Sequence, residues 1–373
     1  MATTTDFIVI GGGMAGSAAA YELAAFGRVQ LLEREDQPGY HSTGRSAATL
    51  IDTYGNPVVN GLTVASRPFI ESPPAVFGDD PVFEKRGMLL IARDDQLPSL
   101  DREMAAAPGV FTRLTGAEAV ERIAILDPAY VAAAIHDPTA IDLDVHAIQQ
   151  GYLRGARARG AATLMGAEVL GLQRVDSLWQ VATDVETYAA PVVVNATGAW
   201  ADTVAEMAGV APLGLVPKRR TAINIDPPDD ISVADWPMAI DVDEQFYFKP
   251  DAGRILVSPA DETPSAPVDA QPEELDIAVA VDRFERATTM AVRRVSHQWA
   301  GLRCFVADKT PVAGPAPDAD GFYWLSGQGG YGIMTAPAMA WAIAAAVTGG
   351  DLPAGLAKTG VTLADLAPNR LYG

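Results

Sequence analysis

The segment Gly11 to Gly16 constrains this chain most. It reads Gly-Gly-Gly-Met-Ala-Gly and places Gly11, Gly13 and Gly16 in the pattern G-x-G-x-x-G. Phe7-Ile8-Val9-Ile10 precedes it, a short apolar run expected of a strand buried on both faces. Ser17 to Phe26 follows, rich in alanine, and predicts a helix ended by Gly27. Val29 to Leu32 predicts a second strand, which stops at Glu33. Together these form a βαβ unit of about 30 residues. Glycines at such positions permit a tight turn and let backbone N–H groups approach a pyrophosphate. The helix N-terminus adds a partial positive charge. Glu33 lies 22 residues after Gly11, where a carboxylate accepts hydrogen bonds from ribose hydroxyls. With strand, helix and acid in place, dinucleotide binding is expected. The bland alternative is a turn that only packs a helix on a sheet.

The chain has 373 residues, enough for two domains of ordinary size. Apolar residues make up 49% and charged residues 20%, a globular composition. The 47 acidic and 27 basic side chains give a net charge of −20. A phosphate backbone would be repelled, so no nucleic-acid partner is expected, and an anionic membrane surface is disfavoured. Cys304 is the single cysteine, which excludes an internal disulfide and any cysteine-built zinc or iron–sulfur site. The four histidines, His41, His136, His146 and His297, show no metal-ligand spacing, and no metal is expected. Met1 to Asp6 lacks the positive stretch of a signal peptide. The longest apolar run, Ala336 to Val347, would span about 18 Å as a helix, against a bilayer core of about 30 Å. A cytoplasmic location without an integral membrane segment is expected.

Further elements follow from periodicity. Leu143 to Ala158 predicts a helix, with Val145, Ile148, Tyr152 and Leu153 near helical spacing. Pro191 to Val194 predicts a buried strand running into Asn195-Ala196-Thr197-Gly198. Gln245 to Lys249, a turn at Pro250 to Gly253, and Arg254 to Val257 predict a β-hairpin. Asp226 to Asp235 and Pro259 to Glu274 read as loops. Phe322 to Leu325 predicts a strand, Gly327 to Gly332 a glycine-rich loop, and Ile333 to Val347 a helix. Small residues at Asn195 to Gly198 let backbone approach a cofactor. A helix opening at the glycine-rich loop would stabilise the negative charge of a reduced flavin. Three such loops suit one long cofactor, and a βαβ unit beginning at residue 7 favours FAD over NAD.

Several stretches carry a family resemblance. They include Glu33-Arg34-Glu35, Pro38 to Ala48, Pro217 to Arg220, Phe246 to Gly253, Trp299 to Arg303 and Gln328 to Ile333. The chain resembles the D-amino-acid oxidase-like flavoproteins, which include sarcosine and glycine oxidases, and is most similar to bacterial D-arginine dehydrogenases. The resemblance runs from residue 6 to about 345. It implies an α/β fold with a Rossmann-like FAD-binding domain intertwined with an antiparallel-sheet substrate domain. Residues 1–82, 145–212 and 301–373 would form the first, and 83–144 and 213–300 the second. It implies FAD contacts at Gly11, Gly13, Met14, Ala15 and Gly16, at Glu33 and Arg34, and at Ser42, Thr43, Arg45, Ser46, Ala47 and Ala48. Further contacts are implied at Val169, Ala196, Gly198, Trp200 and Arg303, and at Gly329, Gly330, Tyr331, Gly332 and Ile333. Non-covalent FAD is expected.

The planar fork of arginine can bind both oxygens of a carboxylate. Arg220 and Arg303 match the family's carboxylate-binding arginines; the bland alternative is a surface ion pair. Tyr247 shares a strand face with Gln245 and Lys249, while Phe246 and Phe248 face the other way. The resemblance makes Tyr247 and Tyr54 substrate-site tyrosines, against ordinary core and loop positions. His41 reads as structural. Arginine-preferring members carry a glutamate where this chain has Gly87, and a histidine where it has Thr49. Losing that glutamate leaves room, so a strong D-arginine preference is not expected and a neutral or bulkier side chain is. Asp52 is a possible substitute carboxylate.

The implied activity is oxidative deamination of D-amino acids to 2-oxo acids and ammonia, by hydride transfer from Cα to flavin N5. Oxygen or a quinone-type carrier would be the electron acceptor. One alternative is a sarcosine- or glycine-type secondary-amine oxidase, which could attach FAD to Cys304. Others are a flavin-binding electron-transfer subunit without substrate chemistry, and an NAD-dependent dehydrogenase.

Overall fold

The computed structural model describes residues 2–228 and 231–372. At its centre is a six-stranded sheet in the order Ala162–Leu164, Val29–Leu32, Phe7–Ile10, Val192–Asn195, Phe322–Ser326, Val312–Pro315. Five strands run parallel and the last is antiparallel. A parallel sheet covered on both faces must be apolar throughout. Ile8, Val9, Val193, Val194 and Trp324 are accordingly closed to solvent. Helices Met14–Leu23, Val145–Ala158 and Ala336–Thr348 cover one face. Antiparallel strands Val169–Val175, Leu178–Thr183 and Thr187–Ala190, with helix Ala201–Met207, cover the other. Alanine dominates the first and last of the three helices, and Ala18, Ala19, Ala338 and Ala342 are fully buried. Methyl side chains let helix and sheet approach closely and lose no rotamer entropy. The apolar run near the C-terminus is thus core. Among the described residues no helix is long and apolar enough to cross a membrane.

The second body is a nine-stranded sheet. Its path is Thr263–Pro264, Val216–Ile225, Arg254–Ser258, Tyr247–Asp251, Met238–Asp241, Met88–Ala92, Ala133–Asp137, Thr112–Thr115, and Val295–Phe305 also pairs with Val216–Ile225. Its pairs are antiparallel except Met88–Ala92 beside Met238–Asp241. Helices Gly116–Arg122 and Glu274–Ala287 pack on one face, where Phe246 and Phe248 meet Phe284. The opposite face carries Ala222, Met238 and Tyr247, which pack with Ala47. The α/β architecture therefore agrees with expectation. A small third sheet, Thr49–Leu50, Ile141–Leu143, Phe83–Lys85, lies between. Strand Val295–Phe305 runs across the expected 300/301 boundary, and its Cys304 bridges Gly329 of the glycine-rich loop.

Several boundaries differ from the sequence reading. The first helix starts at Met14, not Ser17, because Gly13 takes the extended N-cap conformation, and it ends at Leu23. Leu143 closes a strand, and Asp144 caps the next helix by accepting from the Ala147 N–H. The buried strand is Val192–Asn195. In the hairpin, Pro250 and Asp251 belong to the strand, and the turn is Ala252-Gly253. Both turn residues have positive φ, 48° and 80°, which matches the twist of the flanking strands. The last helix begins at Ala336, so turns at residues 331–335 separate it from the glycine-rich loop. Of the loop Asp226 to Asp235, Asp229 and Asp230 lie outside the described residues. The loop after Pro259 includes the short strand Thr263–Pro264.

Candidate active site

Three cavities adjoin along the seam between the two bodies. The first is lined by Gly11, Gly13, Glu33, Arg34, Ser42, Thr43, Val169, Ala196, Gly198 and Trp200. The second shares Gly13, Ser42, Thr43, Ala196 and Gly198 with it, and adds Met14, Ala15, Arg45, Ser46, Ala47, Gly329, Gly330, Gly332 and Ile333. The third shares Ser46, Ala47, Arg220, Tyr247, Arg303, Gly330 and Ile333 with the second, and adds Ala48 and Tyr54. One continuous channel therefore collects every expected cofactor and substrate residue except Gly16 and Tyr331.

Those two serve the framework. A Cβ on Gly16 would lie 1.8 Å from the Gly11 carbonyl oxygen, so its glycine lets helix and turn touch. Tyr331 is buried, edge-to-face with Tyr54 and Phe305, and burial pushes its phenol up to about 12. Gly11 has φ +102°, and a Cβ there would meet Ala196 O at 2.5 Å.

Polar contacts hold the cradle in shape. The Gly12 N–H donates to Glu33 Oε2 at 2.6 Å, and the Glu35 N–H to Glu33 Oε1 at 2.9 Å. Gln149 Nε2 donates to Gly12 O at 2.7 Å. The Met14 N–H donates to Thr43 Oγ1 at 3.0 Å. The Arg34 guanidinium sits 4.5 Å from the Trp200 ring centroid, and His41 Nε2 lies 2.9 Å from Glu35 Oε1. Arg45 is spent on the framework: its Nη1 donates to Ala270 O and Ala300 O at 2.8 and 3.0 Å.

Whether this channel fits FAD can be tested on its own polar atoms. His41 Nδ1 in the first cavity, and Ser326 Oγ and Gln328 Nε2 in the second, are buried with no hydrogen-bond partner among the described residues. Unpaired buried polar atoms are costly unless a ligand or water satisfies them. A glycine cradle, a helix N-terminus at Gly13 and such atoms together suit a long polar cofactor.

The third cavity is built on strands. Arg220 donates from Nε to Asp261 O at 2.8 Å and pairs through Nη2 with Glu262 Oε1 at 3.4 Å, so the ion-pair alternative holds in part for it. Arg303 enters no ion pair among the described residues. Gly330 gives it room, since a Cβ there would lie 2.7 Å from Arg303 Nη1. Burial disfavours the Arg303 charge, but neighbouring Tyr54 and Tyr247 outweigh this and raise its pKa. Burial likewise raises the Tyr247 phenol, but Arg303 and Arg220 overcome it and hold that phenol below the ordinary tyrosine value. For Tyr54 burial prevails and the phenol is raised.

The remaining wall was missed in the sequence. Met88 and Leu90 line it from one strand, Met238 and Ile240 from its neighbour and Val242 from the turn that follows, with Glu103 and Glu244 also present. Strand alternation marks these residues: Leu89 and Ile91 face the opposite core. Gly87 is not among the lining residues. Its φ is +73°, and a Cβ there would face His136 Nε2 at 3.2 Å. The room expected from Gly87 is therefore not where the cavity lies. Asp52 is no substitute carboxylate, because Arg67 Nε holds it at 3.0 Å. Thr49 does line the cavity.

This chain belongs to the family described as DAO, FAD dependent oxidoreductase, whose sequence model matches residues 6–346. It is an FAD-dependent oxidoreductase. An uncharacterized oxidoreductase of Bacillus subtilis (strain 168), YurR, is 26% identical over 370 residues, covering 92% of this chain and 95% of that protein. L-proline dehydrogenase from P. horikoshii superposes with a TM-score of 0.84 at 23% identity, over 100% of this chain and 99% of its own. Glycine oxidase from Geobacillus kaustophilus gives 0.85 at 21% identity, over 99% of both chains.

Proposed function

We propose that this protein oxidatively deaminates D-amino acids with FAD held non-covalently. The observation that carries the reading is Arg303, a cavity-lining guanidinium that makes no direct ion pair among the described residues, beside Tyr54, Tyr247 and Arg220 where the second and third cavities meet. An amino-acid carboxylate is the anion that such a group would bind through two parallel hydrogen bonds. The D configuration rests on the residue resemblance alone. The thioether and aliphatic wall of Met88, Leu90, Met238 and Ile240 favours a neutral side chain, whereas Glu103 and Glu244 on the same lining would draw a cationic one, and the ranking of D-leucine against D-arginine tells which part of the wall the side chain meets. Cys304 lines the second cavity, but burial pushes its thiol up to about 12, leaving little thiolate to attack a flavin.

When bound, FAD supplies the acceptor for the hydride that leaves Cα. The chain's own residues orient and desolvate. Arg303 and Arg220 would fix the carboxylate, Tyr247 would donate its phenolic hydrogen to it, and Tyr54 would close the cavity above. Fixing the carboxylate aligns the Cα–H bond, and such positioning is worth several powers of ten in rate. The substrate amine must be neutral for its lone pair to assist hydride loss. The imine product then takes up water to give a 2-oxo acid and ammonia.

A pH effect follows from Tyr247. As pH rises through its lowered pKa, the phenol loses its proton, stops donating and repels the carboxylate. The kcat/KM profile should therefore fall at a pH below about 10, the usual tyrosine value. Tyr247→Phe should lack that falling limb, and an unchanged limb would remove Tyr247 from the carboxylate site.

The test of the whole reading is anaerobic bleaching of the flavin with D- and L-amino acids, sarcosine, glycine and proline. Bleaching by neutral D-amino acids is expected, with D-leucine or D-methionine ahead of D-arginine. Bleaching only by sarcosine or glycine would favour a secondary-amine oxidase, the second reading suggested by the similarity to glycine oxidase. Bleaching by none would leave an electron-transfer subunit. Air then separates the acceptors: rapid recolouring marks oxygen, slow recolouring a quinone or other carrier.

A further inference from the structure

The strand that carries Tyr247 also buries a lysine that the proposed chemistry does not use. Lys249 is 6% exposed and points to the same side as Tyr247. Its Nζ donates to Ala47 O at 2.8 Å and to Asp142 Oδ1 at 2.7 Å. The same carboxylate accepts from Thr49 Oγ1 at 2.9 Å, and its other oxygen accepts from Arg86 Nε at 2.7 Å. One carboxylate thus joins two buried cations and a hydroxyl from three other segments.

Stability does not explain this arrangement. A buried ion pair is commonly replaceable by apolar side chains at little cost. Its location is more informative. Residues 46–48 have no regular structure. Ser46 and Ala47 line both the cofactor and the substrate cavity, and Ala48 and Thr49 line the latter. On the near side the segment is tied by Arg45, whose carbonyl accepts from Trp299 Nε1 at 3.1 Å. On the far side Ala48 O accepts from the Leu143 N–H at 3.0 Å. Between these ties, the Ala47 carbonyl accepts from Lys249 of the second sheet and, more weakly, from Thr49 Oγ1 at 3.4 Å, and among the described residues Lys249 is its one donor from that sheet.

We infer that Lys249, seated by Asp142, is a positioning residue that holds the Ser46–Thr49 segment where the two cavities meet, and thereby sets the alignment of the reacting Cα–H bond. The carboxylate is fixed elsewhere, by Arg303, Arg220 and Tyr247. Loosening the segment therefore affects the rate of hydride transfer more than substrate affinity. This inference rests on the proposed amino-acid chemistry for its rate readout, but not for its spectral one.

The experiment compares wild-type holoenzyme with Lys249→Met, Lys249→Arg and Thr49→Val, under anaerobic reduction by whichever amine bleaches the wild type fastest. Lys249→Met should keep its FAD and reduce about 10²-fold more slowly, the scale expected of a displacement of about 1 Å, while the substrate Kd changes by less than about threefold. Lys249→Arg should recover about tenfold of that loss, because the cation and its bond to Asp142 return. Thr49→Val should lose a smaller part of the rate, and it reads the same segment should Lys249→Met fail to fold. Wild-type rates in Lys249→Met, or in Thr49→Val where Lys249→Met does not fold, would overturn the inference. So would parallel losses of FAD, affinity and rate that arginine does not restore. Should no amine bleach the wild type, the substrate reading fails, and the clamp is still read from the visible flavin band. That band should shift in Lys249→Met, or in Thr49→Val if Lys249→Met does not fold, and an unchanged band would overturn it.

Discussion

Arg303→Leu should lower kcat/KM for amino-acid oxidation by about 10³-fold, with FAD content close to wild type. Removing one partner of a desolvated, hydrogen-bonded charge pair costs roughly 2–5 kcal/mol, and each 1.4 kcal/mol is about a factor of ten. The large value is expected because Arg303 stands unpaired among the described residues, so the substrate carboxylate would be its counter-ion. The neighbouring phenols of Tyr54 and Tyr247 reinforce its charge. Arg303→Lys should recover only part of the loss, since an ammonium restores charge but not the two-pronged geometry. Arg220→Leu should cost less, because its Nε is already committed to Asp261 O. Stopped-flow reduction against substrate concentration checks all three. A value for Arg303→Leu within about tenfold of wild type would remove the arginine from the carboxylate site.

The second large effect concerns cofactor retention. Gly16→Val should yield protein with less than about a tenth of the wild-type FAD, because the glycine turn cannot keep its approach to the pyrophosphate. Valine has no space there: the first side-chain carbon alone would sit 1.8 Å from the Gly11 carbonyl oxygen. The first helix must move away from the turn, carrying its N-terminal N–H groups with it. Gly355→Ala is the control, since nothing lies within 4 Å of its new carbon. FAD released per chain, measured with circular dichroism on the same samples, separates lost cofactor from lost fold. The emptied protein should also melt lower, because a ligand that binds only the folded state adds its binding free energy to stability. Full FAD content in Gly16→Val would show that the turn tolerates a displaced helix.

What could be read in advance was local. The strand Phe7–Ile10, the glycine turn and Glu33 lie within 30 residues of one another, and apolar runs and turn chemistry report such units directly. The hairpin around Tyr247 was legible from alternation, and Phe246 and Phe248 do face the core opposite Tyr247. The apolar wall of the third cavity was not. Met88 and Met238 face each other across a parallel pairing of distant segments, and no local pattern announces it. Helix Glu274–Ala287 was also missed, because the proline-rich loop before it masked its start and its exposed face is heavily charged. Gly87 misled for a related reason. Sequence position placed it at the substrate, while its left-handed backbone turns it toward His136. Met88, one residue on, faces the cavity instead.

Strand Val295–Phe305 would, on the proposed reading, tie cofactor and substrate recognition together. Leu302 O accepts from Ser42 Oγ at 2.6 Å, Ala300 O accepts from Arg45, and Cys304 O accepts from the Gly329 N–H at 2.8 Å. Arg303 sits in the middle of these anchors. A slip of one residue along Val216–Ile225 would turn the arginine to the other face and break all three ties at once. Substitutions at Met88 and Leu90 should therefore be better tolerated, since those two side chains line only the third cavity. Shifting Arg303 would also displace the strand's ties to Ser42, Arg45 and Gly329, which line the second cavity or its loop. Relatives of this chain should accordingly differ in the side chains they accept far more readily than in the end of the substrate they grip.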